Sequence, residues 1–155
     1  MPTKVVGIDD AIKKKIFKVS FDSSTIVAPG NQETILVQPP KGKIWKVRNI
    51  RYYVVRPLNS LSGSHRVSIY DNFYNLNDNI QISSLYNQNI HLAYGIPVDF
   101  NTYNPNDLQA FIKMWERLTA TYSKPILIRY DNNTDVDQTN TRYCTLLVEE
   151  FDEVS

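Results

Sequence analysis

Between Glu33 and Tyr70 the chain reads ETILVQPPKGKIWKVRNIRYYVVRPLNSLSGSHRVSIY, three alternating apolar segments separated by two turn signals. In an extended chain successive side chains point to opposite faces, so apolar residues two apart share one side of a sheet. Ile35 and Val37 do so, then Trp45 and Val47, then Ile50, Tyr52 and Val54, then Val67 and Ile69. Pro39-Pro40 removes two backbone donors and fixes φ, and Lys41-Gly42 completes a turn, so the first of these strands must end near Gln38. From Arg56 to Ser64 the composition changes to Pro, Asn, Ser and Gly, which suits a solvent-exposed connection, and the chain resumes as a strand at His65.

The same alternation recurs on either side. Phe17, Val19 and Phe21 form one strand, Thr25 to Ala28 a short second one, and Pro29-Gly30-Asn31 turns the chain into the Glu33 segment. Ile80-Gln81-Ile82 and Ile90 to Tyr94 supply two more. Lys124 to Phe151 reads as a long hairpin, with Ile126, Ile128 and Tyr130 on one arm and Cys144, Leu146 and Val148 on the other. One helix is predicted near 107–118, capped by Asn106 or Asp107, because Leu108, Phe111, Ile112, Trp115 and Leu118 recur at helical spacing; its stripe suits packing on a sheet. The expected fold is mainly all-β: an antiparallel β-sandwich, jelly-roll-like, with that short helix. A single domain spans 16–155. Residues 1–15 lack a sustained period and read as an arm or short helix outside the main sheet, with a neighbouring subunit as the natural dock if ordered, or as a frayed terminus.

The 155 residues, 42% of them hydrophobic, are enough for one domain with a real core. Seventeen basic and 16 acidic residues leave a formal charge of +1, so no overall field favours nucleic acid or an anionic membrane. No apolar stretch approaches the roughly 20 residues of a membrane helix, and the first residues lack the apolar core of a secretory signal, so a soluble chain is expected, without an encoded route out of the cell. Lys13-Lys14-Lys15 reads as a solvated strand flank and not as a phosphate patch, since no further basic or aromatic residues interleave with it. The single cysteine, Cys144, cannot form an internal disulfide; it shares its face with Leu146 and Val148 and reads as a buried structural thiol.

Residues able to carry chemistry are sparse. His65 and His91 stand in no metal-ligand spacing and read as structural histidines, and no nucleophile elbow, phosphate-cradling loop or HExxH is present. Glu149-Glu150 and Asp152-Glu153 read as a solvated tail. No catalytic residue and no cofactor is assigned. The run Asp131, Asn133, Asp135 and Asp137 places oxygen ligands at alternate positions, as a hard cation would want. It departs from a calcium loop, however: 132–137 contains no Gly, and Arg142 stands where a bidentate Glu should close the site, so an Asx-rich turn is the favoured reading. Tyr and Asn recur between Tyr70 and Asn106, and Tyr70, Phe73, Tyr74 and Tyr103 are the candidate contact surface, for a protein partner or as stacking platforms for a sugar; plain turn chemistry is the alternative.

Taken together, LVQPPKGKIWKV at 36–47, the strand opening Ser62-Gly63-Ser64-His65, Pro125-Ile126-Leu127-Ile128-Arg129-Tyr130 leading to Asn133-Thr134-Asp135, and the closing Glu149-Glu150 resemble small accessory structural proteins of bacteriophages and prophages of Gram-positive bacteria. The resemblance covers about two thirds of the chain. It implies a β-sandwich subunit used many times in a virion (tail, head decoration or adsorption apparatus), without catalysis, assembled in the bacterial host cytoplasm. Its partners are then further copies of itself and other virion proteins. The helix-like stretch and the Tyr/Asn region depart from the resemblance. A carbohydrate-binding module contacting a host-surface glycan and an unrecognised small hydrolase are the alternatives.

Overall fold

The computed structural model describes residues 15–71, 80–95 and 118–154. These form nine strands: β1 (Lys15–Ser20), β2 (Gln32–Val37), β3 (Lys43–Val54), β4 (Gly63–Asp71), β5 (Ile80–Leu85), β6 (Ile90–Gly95), β7 (Thr119–Thr121), β8 (Ile126–Thr134) and β9 (Tyr143–Asp152). They build two antiparallel sheets. The first runs β1-β9-β3-β6, with short β7 also paired to β3, and the second runs β2-β8-β4-β5.

Alternation decides which face each strand buries. In β8, Ile126, Ile128 and Tyr130 point inward, and in β9 Cys144, Leu146 and Val148 do so. The inward residues of both sheets join one apolar cluster, in which Val37, Val67 and Ile69 of the second sheet meet the same core as Ile50, Tyr52, Val54 and Leu92 of the first. Removing such a side chain from water contributes roughly 1.5–3 kcal/mol each. In β3 the buried set shifts phase, from Trp45 and Val47 to Ile50, Tyr52 and Val54. The pairing with β9 slips between Val47 and Asn49, a β-bulge at Arg48 that restores the inward phase along the rest of this 12-residue strand.

Four connections cross from one sheet to the other at the same end of the molecule: 21–31, 55–62, 86–89 and 135–142. The opposite end receives the β2–β3 turn, the β7–β8 turn and the strand ends Asp71, Ile80 and Gly95 that bracket 72–79 and 96–117.

Two expectations change. The predicted hairpin over Lys124–Phe151 is two strands in different sheets: β8 pairs with β2 and β4, and β9 with β1 and β3. An Asx-rich bend that crosses between sheets has the same local chemistry as one that closes a hairpin, so its composition does not distinguish the two. Thr25–Ala28 is not a strand; it contributes one bridge, Val27 to Gln138, beside another from Ser23 to Arg142. The predicted helix over 107–118 lies outside the described residues except for Leu118, which is buried immediately ahead of β7, its carbonyl accepting from Val47 N at 2.9 Å. Among the described residues no helix is present, and none is long and apolar enough to cross a membrane. Of the N-terminal arm, 1–14 lie outside the described residues and Lys15 opens β1.

Candidate interaction surface

The end crossed by four connections is closed by buried polar side chains. Arg142, fully buried, sends Nη2 to Glu33 Oε2 at 2.9 Å and Nε to Glu33 Oε1 at 3.2 Å. Its Nη1 donates to Asn140 O at 2.8 Å, and Nη2 also reaches the Thr25 carbonyl, so the guanidinium holds the 21–31 and 135–142 connections together. Asn132 extends the clasp: Nδ2 donates to Val27 O and Val136 O, both at 2.8 Å, and Oδ1 accepts from Thr134 N and Oγ1. Buried polar groups cost free energy unless partnered, and here the partners are Glu33, Thr134 and four backbone carbonyls of the crossing loops, those of Thr25, Val27, Val136 and Asn140.

A second chain runs beside it. Gln138 Nε2 donates to Tyr130 Oη at 2.9 Å and to Val55 O at 2.9 Å; Tyr130 Oη lies 2.9 Å from His65 Nδ1, and His65 Nε2 lies 2.7 Å from Gln88 O. A carbonyl can only accept, so His65 carries its proton on Nε2, and the Tyr130 hydroxyl donates a hydrogen bond to its Nδ1. Burial holds the His65 pKa below its ordinary value, opposed by the Gln88 carbonyl, and pushes the Tyr130 hydroxyl up to about 12. His65 is thus a partnered structural residue. His91 is exposed, its ring edge-on to Tyr53 with centroids 6.0 Å apart.

The alternate-oxygen run does not converge. Asp131 and Asn133 lie within β8, not in a bend; Asp131 is held by Arg129 at 3.1 Å and Arg66 at 3.3 Å, and Asn133 is exposed. Asp135 Oδ1 instead accepts from Leu61 N at 2.9 Å and Ser62 N at 3.3 Å, contacts that hold its pKa below the usual carboxylate value, while Asp137 is exposed. Among the described residues, no three His, Cys, Asp or Glu side chains are grouped to hold a metal ion. The C-terminal acids are not a free tail: β9 carries Glu149, paired with Arg48, Glu150, which accepts from Trp45 Nε1 at 2.8 Å, and Asp152, 2.5 Å from Lys43 Nζ. Cys144 is fully buried, and burial pushes its thiol up to about 12.

Of the predicted contact residues, Tyr70 lies near the end of β4, half-buried, with the Arg129 guanidinium 5.1 Å from its ring centre. Phe73, Tyr74 and Tyr103 lie outside the described residues. The structure also displays aromatic residues that the sequence reading did not single out. Tyr143 on β9 pairs with Tyr53 on β3, which pairs in turn with His91 on β6, forming one rung across the outer face of the first sheet; Tyr53 is 39% exposed and Tyr143 51%. The signal was available in each strand, since Tyr53 alternates with buried Tyr52 and Val54 and Tyr143 with buried Cys144. Their adjacency depends on strand pairing, which no local pattern reveals. Next to this rung a cleft of about 450 Å³ is lined by Lys18, Asn49, Arg51, Thr145 and Leu147.

No family model matches the chain, and no curated protein matches it.

Proposed function

We propose that this chain is a non-enzymatic structural subunit of a bacteriophage or prophage particle that acts through self-association and protein contacts. The observation that carries the reading is strand order. With β7 set aside, the orders β1-β9-β3-β6 and β2-β8-β4-β5, and the four same-end crossings, support reading the two sheets as an eight-stranded jelly roll, two Greek keys folded over one core. Viral capsid and lectin domains use this architecture. Fold alone does not assign function, so the virion reading also leans on the resemblance carried by 36–47, 62–65, 125–135 and 149–150.

Surface chemistry supports association. Sheet edges offer unpaired backbone groups that must be covered or blunted, and here edge strands β1 and β2 carry Ile16, 56% exposed, and Leu36, 46% exposed. A symmetric assembly that packs these edges would bury both. The site of assembly is then the bacterial host cytoplasm, with the virion as destination. Co-purification with particles from an induced host tests the reading: a stoichiometric particle component supports it, and a chain found only in the soluble fraction beside complete particles overturns it.

A further inference from the structure

We infer that the outer face of the first sheet binds an anionic saccharide, with Tyr53 and Tyr143 as the ring platform and Arg51 and Lys18 as the anion partners. The binding function goes beyond the assembly role proposed above and does not depend on it.

Three successive rungs of one face carry the parts. Tyr143–Tyr53–His91 forms the first, Thr145–Arg51 the second, and Lys18–Leu147–Asn49 the third, in register across β1, β9, β3 and β6. Tyrosine presents a rigid ring with a polar tip, suited to the apolar faces of a sugar ring. The adjoining cleft, about 450 Å³, supplies an amide, a hydroxyl, two cations and the aliphatic side of Leu147. That is the mixture a small polar ligand needs: a few placed hydrogen-bonding groups around an apolar wall.

Charge selects among sugars. Lys18 and Arg51 are exposed and have no ion-pair partner among the described residues, and the described lining of the cleft contains no carboxylate. On the same sheet Arg48 and Glu149 are paired with one another, so among the described residues the unpaired charges at the cleft are both positive although the chain as a whole carries only +1. A guanidinium fits a carboxylate or phosphate group with two parallel hydrogen bonds. A neutral saccharide leaves both cations without a counter-charge; a carboxylated or phosphorylated one satisfies them. A nucleic-acid strand is less suited, because the positive patch is small and the overall charge supplies no long-range attraction.

Titration calorimetry of the full chain tests this with four probes: an oligosaccharide containing glucuronic acid, a phosphorylated oligosaccharide, a neutral chito-oligosaccharide of matched length, and a single-stranded oligonucleotide of matched charge. The expected result is at least about tenfold tighter binding of one anionic probe than of the neutral one; which of the two binds identifies the anion as carboxylate or phosphate. Arg51→Ala should weaken that probe at least about tenfold while leaving thermal unfolding unchanged, and Tyr53→Ala should weaken the same probe; both side chains are exposed, so folding is a separate readout. Equal binding of neutral and anionic sugars, oligonucleotide binding as tight as the anionic sugar, an Arg51→Ala chain with unaltered affinity, or no binding by any probe overturns the inference. None of these outcomes bears on particle incorporation, which reports on assembly separately.

Discussion

Arg142 and Glu33, 109 residues apart in the chain, make a two-point contact, Nη2 to Oε2 at 2.9 Å and Nε to Oε1 at 3.2 Å, where the connections of the two sheets cross. The arginine is fully buried and the carboxylate nearly so, with 15% of its side chain exposed. Removing one partner of such a pair leaves the other charge desolvated and uncompensated, which costs about 3–5 kcal/mol. Arg142→Met should lower urea-unfolding stability by about that amount. The double variant Arg142→Met with Glu33→Leu should recover part of the loss, because no lone charge is left behind. Equal loss in both chains would show that the backbone contacts of Arg142, and not its charge pairing, hold this end together.

Gly63 opens β4 at φ +86, opposite Thr134 of β8. A β-carbon there would run into the Asn133 carbonyl and come within 2.9 Å of the Thr134 Cα. The left-handed backbone alone costs a non-glycine residue roughly 1–2 kcal/mol, and the collision with fixed backbone adds to it. Gly63→Ala should therefore be destabilised by more than about 2 kcal/mol. Gly30→Ala, at φ +80 with open space around it, should show only the backbone part. Denaturation midpoints of the two variants compare them directly.

Much of the architecture was legible in the chain. The slip of the apolar phase from Val47 to Ile50 is the bulge at Arg48, and Pro39-Pro40 ends β2 at Val37 as its missing donors require. The clasp was not legible. Arg142 stands in a polar bend, and read locally it was only the residue that spoiled a calcium loop; its burial follows from partners brought in by Glu33 and Thr25 from the far end of the sequence. The exposed rung of Tyr143, Tyr53 and His91 was hidden for the same reason. Each residue occupies an ordinary outward position in its own strand, and only the pairing of β9, β3 and β6 makes them neighbours.

His65 ties folding to pH. Its burial lowers the folded-state pKa, so the unfolded chain binds the proton more readily than the native one. The His65 contribution is fully present above the unfolded value near 6.5 and is lost as pH falls from there toward the lower folded value. Unfolding free energy measured from pH 8 down to pH 5 should fall more steeply in the native sequence than in His65→Gln. Parallel curves for the two chains would remove His65 as the cause.

Cys144 is shielded by the core of the first sheet and its thiol is pushed up to about 12 by burial, so neither access nor thiolate is supplied in the folded chain. Thiol-reactive reagent at neutral pH should label it only at the rate of unfolding, and completely in denaturant. Rapid labelling of the native chain would place the β9 thiol outside the core.

Self-association is the property on which the proposed role turns, and sedimentation velocity over a wide concentration range measures it most directly. A subunit of a repeated assembly should shift from monomer to multiples of the chain mass as concentration rises, and Ile16→Lys with Leu36→Lys, on the exposed edge strands β1 and β2, should move that shift to higher concentration. A single monomeric boundary at every concentration, unaltered by the edge substitutions, would contradict it.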